Sequence, residues 1–261
     1  MFVAVRYLKA LKENRSLISV FALGELKNRY RNSVLGFFWS ILEPLLLLTV
    51  LYFVFSSVLK SGIPNFPLYL FLGLIVWNFI SKGTTMGLNS ISSKANIITN
   101  VYFQRAIAAL SSNITALIML GLEFVIFGIF LAFYGVIPSA TILFLPYLIF
   151  LVFMITLGIS LPLSVINVLY KDMQFIWNVV LTAGFFAHPI IYNANMLPES
   201  LHEKIDLIPT VRIFEMMQDT VLYGKIPTLY GFAYVTIAAI VILGVGYLVY
   251  RKFEPRIVEM M

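Results

Sequence analysis

The sequence contains no cysteine and little charge. The absence of cysteine from the 261 residues excludes a disulfide framework, a cysteine-ligated zinc cluster and a thiol nucleophile. Charged residues make up 11% of the chain, against about 25% in a soluble globular domain. Hydrophobic residues make up 61%, and the mean hydropathy is +0.94. This composition indicates an integral membrane protein rather than a nucleic-acid-binding one, although the net charge is +6.

Sequence motifs of enzymes are also missing. There is no GxxxxGK[ST] phosphate loop, so we expect no ATP hydrolysis by this chain itself. His188 and His202 are far apart and lack HExxH spacing, which argues against a metal site. There is no GxSxG nucleophile motif. The sequence therefore predicts no catalytic residue, no cofactor and no metal in this chain.

Long apolar segments dominate the chain instead. The 25 residues from 35 to 59 contain a single ionisable group, Glu43, and about 20 apolar residues suffice to cross a bilayer as a helix. The same criterion predicts an all-α integral membrane protein with six transmembrane helices. Pro146 and Pro162 fall inside the fourth and are predicted to kink it. The predicted spans are residues 35–59, 67–90, 106–134, 141–169, 175–192 and 229–250.

Three segments flank these spans. Residues 1–34 are predicted to form a cytoplasmic N-terminal segment with a helix at the membrane interface. Residues 193–228 are too polar to cross the membrane and too apolar for a plain loop, so we expect short re-entrant helices at the outer face. Residues 251–261 form a predicted cytoplasmic tail. The apolar residues that recur at helical spacing in the outer segment are Val211, Phe214, Met217, Val221 and Leu222.

The basic residues are distributed unevenly between the two sides of this topology. Fourteen of the 18 Lys and Arg residues lie on the side of the two termini. The other four are Lys60, Lys204, Arg212 and Lys225. The positive-inside rule therefore predicts a multi-pass protein of the plasma membrane with both termini in the cytoplasm.

Two acidic residues lie within apolar spans, where an ionisable group needs a partner, a cavity or an interface. Glu43 is predicted to cap the first span or to pair with a basic residue near the inner interface. Two interpretations of Glu123 stay open. It is either a protonated acid that hydrogen-bonds to a neighbouring helix or a functional group.

Four stretches together resemble the transmembrane subunit of polysaccharide-exporting ABC transporters, within the type-2 ABC permease family. They are RYRNSVLGFFWSILEPLL (29–46), GLIVWNFI (73–80), SKANIITNVYFQR (93–105) and NVLYKDMQFIWNVVLTAGFFAHPIIY (167–192). The resemblance runs from about residue 26 to residue 250. Two positions depart from the family pattern: Gln104 stands where proline is usual, and IPT at 208–210 replaces the usual Asn-Pro.

The resemblance implies a half-transporter of the cell inner membrane. Two copies would pair as a homodimer, and each would dock a separate ATPase subunit that holds the ATP and Mg. The implied substrate is a lipid-linked polysaccharide, such as O-antigen, on a polyprenyl diphosphate carrier. Two alternatives are a drug or small-molecule exporter of the same permease family and, more distantly, a membrane enzyme of lipid-linked glycan assembly.

The resemblance and the predicted topology together suggest three groups of site residues. The predicted ATPase-coupling residues are Asn96, Ile97, Ile98, Val101, Tyr102, Arg105, Tyr170 and Asp172. The predicted glycan-channel aromatics are Tyr52, Phe53, Phe55, Phe185, Phe186 and Tyr192, with membrane anchoring as the alternative. Arg29 and Arg31 are predicted to receive the lipid diphosphate, although the positive-inside bias explains them equally well.

Overall fold

The computed structural model describes residues 14–29, 31, 33–58, 63–100, 103–193, 196 and 198–260. All regular structure in these residues is helical, which confirms the all-α class for this part of the chain. Short 3-10 turns cover Gly36–Phe38, Ser92–Lys94 and Ala140–Phe144. The helices are α1 (Arg15–Arg29), α2 (Trp39–Val58), α3 (Phe66–Asn89), α4 (Ala95–Asn100), α5 (Ala106–Phe133), α6 (Leu145–Leu169), α7 (Met173–Ala187), α8 (Glu199–Ile205), α9 (Pro209–Leu222) and α10 (Leu229–Met260).

Among the described residues, four helical segments are long and apolar enough to cross a membrane. They are Phe66–Asn89, Ala106–Phe133, Ala140–Leu169 and Leu229–Pro255. The predicted first and fifth spans coincide with two shorter apolar helices, Trp39–Phe55 and Met173–Ala187. The count of six spans therefore stays a prediction.

The predicted ends of some segments differ from the structure. Pro146 does not interrupt a helix, because it stands in the first turn of α6, where a missing backbone N–H costs no hydrogen bond. Pro162 does lie inside α6. At the C-terminal end, α10 continues past residue 250 to Met260, so that the predicted tail prolongs the last helix.

Helix α3 forms the centre of the bundle. Its sequence is apolar on all sides over its first twelve residues, a pattern typical of a buried helix. It packs against α2, α5, α6 and α7. Polar contacts reinforce this packing: Trp177 Nε1 donates to Thr84 Oγ1 at 3.0 Å, and Ser160 Oγ donates to the carbonyl oxygen of Gly83 at 3.3 Å.

Helices α6 and α10 approach each other closely through small residues. A Cβ atom at Gly158 would lie 2.8 Å from Leu243 Cα, and one at Gly246 would overlap the carbonyl oxygen of Gly158. Small residues at a helix contact let two backbones come together where the lipid supplies no hydrophobic driving force. This contact fixes α10 on the outside of the bundle against α6.

Loops and short helices collect at two opposite ends of the bundle. At the first, which we call the hairpin end, Gln218 Nε2 on α9 donates to the carbonyl oxygen of Pro189 at 3.0 Å, and Tyr223 to that of Pro64 at 3.3 Å. At the second, which we call the α1 end, Thr115 Oγ1 on α5 donates to the carbonyl oxygen of Ala22 at 3.1 Å. The loops predicted to face outward thus share the hairpin end, and the predicted cytoplasmic elements share the α1 end.

The helix predicted in the outer segment is present as α9. Of the five residues singled out for their spacing, four are buried and Leu222 is half-buried. The helix contacts α3, α6 and α10. Helix α9 therefore closes the hairpin end of the bundle.

Candidate functional site

At the α1 end, a buried lysine joins three elements. Lys94 Nζ lies 3.0 Å from Glu25 Oε2 on α1 and 3.2 Å from Ser112 Oγ on α5. Ser112 Oγ in turn donates to Glu25 Oε2 at 2.8 Å. The Lys94 side chain is 10% exposed, so its charge is balanced within the protein. This network fastens α1 and α5 to the turn that leads into α4.

The predicted coupling segment forms the short helix α4 and the turn before α5. Ile98 is buried in the same apolar cluster as Phe21 of α1. Asn96 and Ile97 are exposed, and Arg105 is half-buried at the start of α5. The buried residue anchors the helix while its neighbours face outward. Val101 and Tyr102 lie outside the described residues.

The second predicted coupling element lies at the same end. Tyr170 and Asp172 are exposed in the loop between α6 and α7. Helix α6 also contacts the Ser92–Lys94 turn that precedes α4. The structure therefore brings both predicted coupling loops to one end of the bundle, where they offer exposed side chains for a partner.

The two acids of the predicted spans share one partner. Lys82 Nζ on α3 lies 3.1 Å from Glu43 Oε2 on α2 and 3.3 Å from Glu123 Oε1 on α5. Glu43 thus pairs with a basic residue as predicted, and Glu123 is bonded to a neighbouring helix. Sequence reasoning missed the role of Lys82 because it counted this residue only among the basic charges of the cytoplasmic side and considered no partner for it, although Lys82 lies within the predicted span 67–90. The signal was a lysine inside a helix that continues for seven residues beyond it.

A concavity of about 360 Å³ opens next to this ion-pair network. Arg29, Ser33, Trp39 and Glu43 line it, between the end of α1 and the start of α2. Arg29 is therefore placed where it can receive an anion, since guanidinium groups suit phosphate oxygens. Arg31 is exposed in the turn that follows α1 and is not among the lining residues.

The six predicted channel aromatics divide between two helices. Three lie on α2, two at the end of α7 and one just beyond it. Half of them are exposed and half are partly buried against the core. The exposed rings are Tyr52, Phe53 and Phe186, and the partly buried ones are Phe55, Phe185 and Tyr192.

The two aromatic groups contact α3 at different levels. The Tyr52 ring is 6.3 Å from that of Phe66. The Tyr69 hydroxyl donates to the carbonyl oxygen of Tyr192 at 2.9 Å. Tyr52 and Tyr192 therefore lie towards the hairpin end, whereas the Phe185 ring lies 6.2 Å from that of Trp77, halfway along α3.

Residues of α8 and α9 line a polar cavity of about 270 Å³ at the hairpin end. Arg212 Nη2 lies 3.1 Å from Asp206 Oδ2. His202 Nε2 lies 3.8 Å from Asp206 Oδ1 and 3.9 Å from Glu215 Oε1. His202, Asp206 and Glu215 could place ligand atoms around one cation. The positive charge of Arg212 beside Asp206 disfavours a cation at this position.

Glu215 in this cavity lies outside the predicted spans. The pKa of its carboxyl is raised from the ordinary 4.5 to about 7, chiefly by burial and secondly by repulsion from Asp206, while His202 and Arg212 oppose the shift. The polar contacts between α8 and α9 are therefore sensitive to pH near neutrality.

Most of the chain is similar to known proteins of one kind. Residues 16–222 match the profile of the family described as ABC-2 type transporter. The O-antigen export system permease protein RfbA of Myxococcus xanthus is 32% identical over 188 residues, which cover 72% of each chain. A protein of the same name from Klebsiella pneumoniae is 28% identical over 94% of this chain and 95% of that one. The polysialic acid transport protein KpsM of Escherichia coli is 23% identical over 89% and 91% respectively.

Proposed function

The chain belongs to the ABC-2 type transporter family, and we propose that it is the membrane subunit of an exporter for a lipid-linked polysaccharide such as O-antigen. The observation that carries this proposal is the match, over 94% of the chain, to proteins named as O-antigen export permeases. A protein named for capsule polysaccharide export in Neisseria meningitidis, 21% identical over 95% of each chain, supports the same substrate class.

We propose that the energy comes from a separate ATPase subunit, which binds ATP and Mg. The sequence has no phosphate loop of its own, so this chain is a non-catalytic permease. At the α1 end, 42% of the surface of Ile97 on α4 is exposed, and 68% of that of Tyr170 is exposed in the loop between α6 and α7. Such exposed side chains on short, anchored elements suit the docking of a partner that transmits its movement.

The proposed assembly is a homodimer in the cell inner membrane with two ATPase subunits and both termini in the cytoplasm. Helices α2 and α7 support the pairing of two copies. Each packs against α3 on one side and leaves large apolar residues exposed on the other, among them Phe53, Phe175 and Val179. Lipid or a second copy would cover these surfaces.

We propose that the diphosphate of the carrier lipid first meets Arg29 in the concavity beside α2. Aromatic rings at the hairpin end would then contact the C–H faces of successive sugars. Weak, repeated contacts let a polymer slide without holding any one residue. The exposed rings of Tyr52, Phe53 and Phe186 are the leading candidates.

The test is export in a strain that lacks this chain. We expect glycan to accumulate on its lipid carrier in the cytoplasm and to reach the surface again when the chain and its ATPase are restored. A chain with normal insertion but an ATPase partner unable to hydrolyse ATP should fail. Unchanged surface glycan combined with altered drug resistance would contradict the proposal and favour a small-molecule exporter.

A further inference from the structure

We propose that Lys82 is a second cationic contact for the diphosphate of the carrier lipid and that Glu43 occupies the position of this anion until it arrives. The proposal rests on the proposed function, because it takes the lipid-linked substrate as given. It adds a residue of the second predicted span to a site otherwise defined by Arg29.

The geometry around Lys82 is that of one ammonium group shared by two carboxylates. Its Nζ atom lies 3.1 Å from Glu43 and 3.3 Å from Glu123, on two different helices. The two carboxylates are not equivalent. The Glu123 side chain is 2% exposed, whereas that of Glu43 is 59% exposed. Glu123 is therefore a fixed partner, and Glu43 approaches Lys82 from the open side.

The charges show which of the two carboxylates can move away from Lys82. Lys82 and Glu123 neutralise each other, so Glu43 is an additional carboxylate on a cation that is already paired. Removing one member of a buried ion pair leaves an uncompensated charge at a large cost. Displacing Glu43 leaves no such charge, because Lys82 keeps Glu123 and the Glu43 carboxylate is already largely exposed.

The Glu43 side chain also connects Lys82 to the Arg29 concavity. Glu43 lines this space of about 360 Å³ together with Arg29 and Trp39. An anion that enters beside Arg29 meets Glu43, whose carboxylate lies 3.1 Å from the ammonium group of Lys82. Lys82 itself does not line the concavity, so the anion reaches it by taking the place of the Glu43 carboxylate. A phosphate oxygen accepts a charge-assisted hydrogen bond from an ammonium group as a carboxylate oxygen does. A diphosphate has oxygens for both cations at once.

This role differs from that of a structural ion pair in one measurable way. If Glu43 only braces α2 against α3, then removing its charge should weaken the site or leave binding unchanged. If Glu43 competes with the ligand for Lys82, then removing its charge should tighten binding. The Glu43→Gln variant separates the two roles because the amide keeps the size of the side chain and loses the charge.

The experiment measures binding of farnesyl diphosphate to the full chain in nanodiscs of uncharged phospholipid, with farnesol and inorganic diphosphate as comparison probes. We expect Glu43→Gln to bind farnesyl diphosphate about three- to tenfold more tightly than the wild type. We expect Lys82→Gln combined with Glu123→Gln to bind about tenfold more weakly, the size expected for one charge-assisted hydrogen bond. The combined variant avoids an unpaired buried carboxylate, and its unfolding temperature reports whether it folds.

The comparison probes identify the source of the anion. We expect farnesol to bind weakly and inorganic diphosphate to bind less tightly than farnesyl diphosphate. Equal affinity for inorganic diphosphate would assign the site to a free anion and overturn the lipid part of the proposal. Weaker binding by Glu43→Gln, or wild-type binding by the folded Lys82 and Glu123 variant, would overturn the role of Lys82.

Two further variants separate this proposal from the proposed function. Lys225→Gln removes an exposed charge at the hairpin end and should bind as the wild type does. Arg29→Gln should lose affinity. If Arg29→Gln loses affinity while the Lys82 and Glu43 variants bind like the wild type, then the second contact is wrong and the proposed function stands. The function itself is decided by the export assay.

Discussion

Lys94 Nζ lies 3.0 Å from Glu25 Oε2, and this ion pair joins the N-terminal helix to the turn before α4. Both side chains are largely buried, at 10% and 21% exposed. The predicted coupling helix is therefore tied to α1, so that a force applied to α4 reaches α1 directly. From there the chain leads into α2, the helix that carries Glu43.

The Lys94 and Glu25 pair provides a prediction about stability. Lys94→Met or Glu25→Leu alone should destabilise the protein, because each leaves a buried charge without its partner, at a cost of about 3–5 kcal/mol. The free energy of unfolding should fall clearly less in the double variant than the sum of the two single losses. The unfolding midpoint of the purified chain in detergent measures this. Losses that simply add would show that the two residues act independently.

The glycine contact between α6 and α10 provides a second prediction. Gly158→Ala should lower the unfolding midpoint, since the new methyl group meets the α10 backbone and overpacking costs about 1–3 kcal/mol. Gly246→Ala should do the same. Gly244→Ala on the same helix is the matched control, because nothing lies within 4 Å of its added Cβ. Equal effects at 244 and 246 would contradict this close contact.

Glu215 predicts a pH dependence of the hairpin end. Its pKa in the folded protein is raised from 4.5 to about 7, mainly by burial. The folded state therefore binds this proton more tightly than the unfolded chain does, and stability from this group falls as pH rises from 4.5 to 7. Glu215→Gln should remove this component. The measurement is the change in unfolding midpoint between pH 5 and pH 7.5, which should be smaller in Glu215→Gln than in the wild type.

The absence of cysteine makes the coupling surface directly testable. A cysteine substituted for Ile97 on α4 should cross-link to a cysteine in the docking groove of the ATPase subunit. Ile226, 73% exposed at the hairpin end, is the control and should react with reagents added from outside instead. The opposite pattern, with cross-linking from position 226 and not from 97, would invert the predicted topology.

The aromatic side chains should act together. Tyr52→Ala or Phe185→Ala alone should reduce glycan export mildly, because a sliding polymer meets many weak sites. The combined variant should reduce export more than either single variant. Export is measured as surface glycan relative to inserted protein. Normal export by a correctly inserted combined variant would show that these rings serve only as membrane anchors.

The amino-acid sequence by itself determined the helical class, the apolar segments and the buried face of α9. Val211, Phe214 and Met217 were identified from their spacing alone and are buried. This works because helical periodicity is local: residues three or four apart share a face whatever the rest of the chain does. Overall composition likewise indicated a membrane protein, because the composition of a chain does not depend on which residues are in contact.

The tertiary structure decided which polar groups meet. Lys82 is 39 residues from Glu43 and 41 from Glu123, and Lys94 is 69 residues from Glu25. Sequence patterns fix no pairing at such separations, because the partner depends on which helices pack together and in what rotation. For this reason Lys82 was counted only as a cytoplasmic-side charge, although its ammonium group contacts both acids of the predicted spans. Glu43 and Arg29 are likewise neighbours in one concavity only because the chain turns between α1 and α2.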